Sequence, residues 1–89
     1  MPVSKRWTVE VLIGEDHGNT SAVARLDTKD GTHLVGTGQA RLNPADDDIP
    51  AIGDELAAAR ALSDLGHRLL LTAAADVAAV AEQPVHLTW

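Results

Sequence analysis

The sequence predicts an α+β fold in which a three-stranded antiparallel meander is covered on one face by C-terminal helix. Three observations carry this. Residues 6–42 fall into three alternating runs separated by turn-formers. From Ile52 onward, apolar residues recur at helical spacing instead. Between the two regions lies an acidic, proline-bearing link, Asn43-Pro-Ala-Asp-Asp-Asp-Ile-Pro50.

The first strand is expected over 6–14. Trp7, Val9, Val11 and Ile13 point one way, and Thr8, Glu10 and Leu12 the other, because strand side chains alternate. Residues 15–19, Glu-Asp-His-Gly-Asn, form a turn. A second strand, 20–28, puts Ala22, Ala24 and Leu26 on one face and Val23 and Arg25 on the other. Asp30-Gly31 signals a hairpin, since such pairs suit positive φ. A third strand, 32–42, carries Leu34, Gly36, Gly38, Ala40 and Leu42 on one face and Val35, Thr37, Gln39 and Arg41 on the other. Ala22, Ala24, Gly36, Gly38 and Ala40 make a shallow patch, which predicts a helix seated across the second and third strands.

That helix is expected over 52–71. On a wheel advancing about 100° per residue, Ile52, Leu56, Ala58, Ala59, Leu62, Leu65, Leu69 and Leu70 share one half-circle. Ala57, Ala61 and Leu71 fall in the other, with Asp54, Arg60, Asp64, His67 and Arg68. The leucines are therefore expected to sit on the shallow patch, with Gly66 adding clearance. Pro50 suits a helix start, and Asp54 and Glu55 are expected in the first turn, where carboxylates favour the helix dipole. A second helix is expected over 73–82, with Thr72 as its cap. A single helix of about 30 residues would overhang so short a sheet. The strand-like tail, 84–89, carries Val85, Leu87 and Trp89.

Eighty-nine residues make one domain, 1–89. Its core is short of large rings, with two Trp and no Phe or Tyr, so association is a natural supplement. The absence of cysteine removes disulfides, thiolate zinc sites and cysteine nucleophiles. No signal-like N-terminus and no run of ~20 apolar residues is present, so a cytoplasmic protein without membrane partners is expected. The net charge of −6 is uneven. Residues 1–42 hold five basic and five acidic groups; residues 43–89 hold two basic and eight acidic. An acidic helical half opposes phosphate-backbone binding, though Lys5, Arg6, Arg25, Lys29 and Arg41 are available to form a basic surface.

No residue set rises to a catalytic, cofactor or metal site, and a non-enzyme is expected. Gly36-Thr37-Gly38 lies within a strand pattern and lacks the strand-turn-helix setting of a nucleotide loop. Asp46-Asp47-Asp48 lacks the alternating ligands of a calcium loop. The four histidines are scattered, without zinc spacing. Ser63, Asp64 and His67 share two helical turns, but Ser63 falls in the apolar stripe. Trp7 and Trp89 are expected to finish the core. What remains is an interface. The open sheet face has Leu12, Val23 and Val35 as an apolar centre and Arg25 and Arg41 among its charges. With Val85, Leu87 and Trp89 of the tail, it predicts a homodimer that uses that face, the tail, or both.

Read together, Gly36-x-Gly-x-Ala40-Arg41-Leu42-Asn43-Pro44-Ala45-Asp46, Ile49-Pro50-x-Ile52-Gly53-Asp54-Glu55-Leu56, Ala59-Arg60-Ala61-Leu62-Ser63-Asp64-Leu65 and Gln83-Pro84-Val85 resemble a family of small actinobacterial proteins of unknown function. The resemblance covers nearly the whole chain. It implies a fold of the double-stranded-RNA-binding-domain type. It also implies a link to dormancy and low-oxygen stress, dimers likened to ribosome hibernation factors, and no catalytic residues. Two departures from an RNA-binding domain stand out: there is no N-terminal helix, and Asp54 and Glu55 replace the basic helix start. Naked duplex RNA is therefore not an expected partner. The expected role is that of a stress- or dormancy-linked regulator acting through macromolecular contacts such as the ribosome. The alternative is a protein–protein module unconnected with RNA.

Overall fold

The computed structural model describes residues 3–43 and 49–81. Turn chemistry sets the meander. His17 and Gly18 both take positive φ (50° and 78°) and join strand β1 (Thr8–Asp16) to β2 (Asn19–Asp27). A two-residue loop with positive φ at both positions matches the twist of an antiparallel pair. Between β2 and β3 (His33–Arg41), Gly31 takes φ 92°. There the Thr28 carbonyl accepts from the Gly31 amide at 3.2 Å, and the Thr28 amide donates to the Thr32 carbonyl at 3.0 Å. The sheet order is β1-β2-β3, antiparallel throughout.

The register arranges the covered face in rows. From β1 to β3 they read Val9–Leu26–Leu34, Val11–Ala24–Gly36, Ile13–Ala22–Gly38 and Glu15–Thr20–Ala40. The middle rows fall from a branched side chain on β1 through alanine to glycine on β3. That surface slopes, and helix α1 (Pro50–Ala81) lies on its low side, over β3 and β2, as the small residues predicted.

The helix meets the sheet through a face the leucine pattern did not predict. Ala57, Ala61 and Leu65 are buried, while Ile52, Leu56 and Leu62 remain 44–50 % exposed. The contact is small against small. A Cβ built on Gly38 would collide with the Ala57 carbonyl and the Ala61 amide, and one on Gly36 with the Ala61 carbonyl and the Leu65 amide. Helix backbone thus rests directly on strand backbone, and only alanine fits between. A leucine at 57 or 61 would lift the helix; Leu65 is buried beside Gly36, while Ile52, Leu56 and Leu62 flank the contact. Clearance comes from Gly36 and Gly38; Gly66 is only half-buried.

Other expectations are corrected. A single helix runs from Pro50 to Ala81, instead of two. Thr72 does not cap a new helix; its hydroxyl donates to the Arg68 carbonyl at 3.0 Å, one turn back. Nothing between 67 and 81 breaks a helix, since that stretch holds neither Gly nor Pro and is rich in alanine. Because the helix starts at Pro50, Asp54 and Glu55 sit in its second turn. Trp7 precedes β1 and is 56 % exposed, so it does not finish the core. Asp46–Asp48 and the tail bearing Val85, Leu87 and Trp89 lie outside the described residues.

Candidate functional site

The open face has its own rows: Thr8–Asp27–His33, Glu10–Arg25–Val35, Leu12–Val23–Thr37, Gly14–Ser21–Gln39 and Asp16–Asn19–Arg41. Residues predicted for this face do share it. Leu12 and Val23 are direct cross-strand partners, and Val35 lies one row away. Leu12 is 51 % and Val35 42 % exposed. Together they form a contiguous apolar centre in the middle of the sheet, and no element of the chain's described residues covers it. Arg25 sits between Glu10 and Val35. Arg41 lies three rows from Arg25, or about 20 Å at two strand residues per row, so the two arginines do not form one basic patch. Lys5 and Arg6 precede β1, and Lys29 lies in the β2–β3 turn, all at the end of the sheet away from Arg41.

The helical polar residues serve the fold. Asp64 accepts from the Thr37 backbone amide at 2.9 Å and from the Arg68 guanidinium at 3.2 Å. The Thr37 amide, then Arg68, holds its carboxyl below the usual carboxylate range. Arg60 donates to the Gln39 carbonyl at 2.6 Å. Asp64 and Arg60 thus occupy backbone groups on the outer edge of β3 that an edge strand would otherwise offer to another chain. The Ser63–Asp64–His67 grouping therefore has its carboxylate committed to β3 and Arg68, and Ser63 is exposed. The helix clip was not legible in the spacing, because its acceptor and donor groups on β3 are backbone atoms.

A cleft of about 380 Å³ lies where the start of α1 meets the start of β2 and the end of β3. Ala40, Leu42, Ile52 and Leu56 give it apolar walls, and Glu15 and Arg41 are its charged residues. Thr20, 5 % exposed, is the buried hydroxyl there. Gly53 makes room for it, since a Cβ at 53 would stand 2.8 Å from the Thr20 Oγ1. Among the described residues, no three His, Asp or Glu side chains come close enough to share a metal ion, and no helix is long and apolar enough to cross a membrane.

Comparison with known proteins gives a consistent answer. A family model described as Rv2632c-like matches residues 5–86. The uncharacterized protein Mb1767 of Mycobacterium bovis is 52 % identical over 87 residues, covering 98 % of this chain and 92 % of that protein. The uncharacterized protein Rv2632c of Mycobacterium tuberculosis is 48 % identical over 83 residues, covering 93 % of this chain and 88 % of that one. The crystal structure of Rv2632c superposes with a TM-score of 0.83 at 47 % identity, over 93 % of this chain and 98 % of that chain.

Proposed function

The chain belongs to the Rv2632c-like family of uncharacterised mycobacterial proteins, and on that premise we propose that it is a non-enzymatic regulator acting through macromolecular contacts. The contact surface is the open sheet face. One observation carries this: exposed Leu12 and Val35 and half-buried Val23 form a contiguous apolar centre with Glu10, Arg25 and Thr37 beside it. An apolar centre with a polar rim is the composition of a docking surface. The protein works as a homodimer in the cytoplasm, and its partner is the ribosome, engaged during stress or dormancy. The likeness to double-stranded-RNA-binding domains and to hibernation factors belongs to this same reading. The acidic balance, with pI near 4.9, turns contact away from phosphate backbones and toward a protein surface. The second reading, a module for a protein unrelated to RNA, draws on that same acidity.

The test is co-sedimentation with purified ribosomes. The wild-type chain should travel with them, and Leu12→Glu combined with Val35→Glu should not, while keeping its circular dichroism spectrum. Naked duplex RNA should bind weakly or not at all near physiological salt. A sub-micromolar anisotropy titration with duplex RNA would overturn the choice of surface. Absence of the wild-type chain from the ribosome fractions would remove the ribosome and leave the second reading.

A further inference from the structure

Strands of nine residues span about 30 Å, whereas the 32-residue helix is about 48 Å long. The helix runs antiparallel to β3, with Ala57 over Gly38, Leu65 beside Gly36, and Leu34 and Leu69 packed against the core. Residues 70–81 therefore project about 18 Å beyond the sheet, past the end where β1 begins and β3 begins. Ten of these twelve residues are apolar; Thr72 and Asp76 are the exceptions. Leu71, Val77 and Val80 are 56, 44 and 88 % exposed. A helix apolar nearly all round is a buried helix, yet the chain's own sheet does not cover this arm.

The same molecule holds a trough that fits it. Arg60 and Asp64 reach the outer edge of β3, so the opposite flank of α1, with Ala58, Leu62 and Leu69, faces β1. The β1 side of the covered face offers Val9, Val11 and Ile13, with Val9 and Ile13 37 and 46 % exposed. The trough opens at the very end of the sheet from which the arm projects. Lys5 and Arg6 stand exposed at its mouth, just before β1, and Asp76 is the arm's one charge.

We propose that a second copy of this chain is what covers the arm: about a two-fold axis at this end of the sheet, the arms of two copies pack antiparallel, each lying in the trough over its partner's β1. Two features at one end, each the complement of the other, are what a two-fold interface requires. The alanines of the arm let two helices approach closely. Asp76 then meets Lys5 and Arg6 of the second copy. This rests on the dimer part of the function proposed above, and it leaves the open face free for another partner.

The experiment pairs mass with proximity. Light scattering on the full chain at about 100 μM should report twice the chain mass. Val77→Asp with Val80→Asp should report the chain mass with an unchanged spectrum, since both side chains are exposed in the single copy. The chain has no cysteine, so cross-links are unambiguous. Mixing single-cysteine variants at Val77 or Val80 with single-cysteine variants at Val9 or Ile13 should give a disulfide between copies in at least one pairing. A wild-type monomer at that concentration overturns the proposal together with the dimer. A dimer that survives in the arm variant but is lost in Leu12→Glu with Val35→Glu overturns the arm and assigns dimerisation to the open face. A dimer that survives in both, or no cross-link in any pairing, overturns the arm alone.

Discussion

The two halves of α1 are both rich in alanine and stand in opposite situations. Residues 57–69 lie on the sheet at backbone distance, clipped by Arg60 and Asp64 to the edge of β3. Residues 70–81 touch none of the sheet's buried core. Alanine dominates both, but it means different things. At 57 and 61 it is the largest side chain that fits beneath the helix. At 73–75 and 78–79 no neighbouring strand limits size. Local sequence makes both halves helical; only the sheet decides which half is held.

The sharpest way to break that contrast is at the glycines. Gly38→Val places three carbons where helix backbone stands, and should cost at least the ~3 kcal/mol at the top of the usual overpacking range. For a domain of this size each kcal/mol moves the midpoint by roughly 4–8 °C, so Tm should fall by more than about 10 °C in calorimetry. An unchanged midpoint would remove the backbone-on-backbone contact. Next comes a proline pair. Ser63→Pro, in the seated half, should cost ~3 kcal/mol or more of global stability. Ala73→Pro should lower far-UV helicity while barely moving the thermal midpoint of a dilute, monomeric sample, because the arm frays without the sheet. Equal effects of the two would mean that the halves are one cooperative unit. A gentler pair is Ala61→Leu against Ala79→Leu: ~1–3 kcal/mol for the first and within about 0.5 kcal/mol for the second, read by denaturant midpoints.

The smallest effect concerns the clip. Asp64 has its carboxyl lowered by the Thr37 amide first and Arg68 next. A group with a depressed folded pKa contributes stability that is present above its unfolded value, ~3.9, and lost as pH falls through the lower folded one. Asp64→Ala should lower Tm slightly at pH 7 and narrow the wild-type advantage as pH is taken below about 4. A gap that widens in acid would reverse the sign of this assignment.

These contrasts also explain what could be read from residues alone. Strand alternation and the turn-formers at 15–19 and 29–31 placed the meander, because period-2 patterning and positive-φ chemistry are local properties. The open face with Leu12, Val23 and Val35 followed from the same parity. The residues predict a helix seated on β2 and β3, and it sits there, but rotated so that Ala57 and Ala61 join Leu65 at the sheet while Ile52, Leu56 and Leu62 stay exposed. A wheel weighted by hydrophobicity favours leucine over alanine, whereas a sheet surface of glycine and alanine selects the smallest residues on the helix. The arm was read as a second helix on the assumption that secondary structure ends where its support ends. Helix termination depends on local breakers, and residues 67–81 contain none. The interaction of Asp64 with Thr37 spans 27 positions through a backbone amide, and no side-chain pattern announces such a partner.

The paired glycines have one more consequence, which concerns commensurability. Gly36 and Gly38 are two strand positions apart, about 6.6 Å, and Ala57 and Ala61 are four helical positions apart, about 6.0 Å. The two repeats act as a short vernier: they agree to within roughly half an ångström over one step and drift steadily beyond it. Two teeth are about as many as such a rack can engage. Sliding the helix by one tooth would bring its backbone onto Leu34 or Ala40, where a side chain blocks it. One residue inserted between 57 and 61 would therefore disengage the rack, while one inserted between 70 and 81 would leave it engaged. The chain thus has a stretch whose length its own sheet fixes to the residue and a neighbouring stretch whose length that sheet does not set.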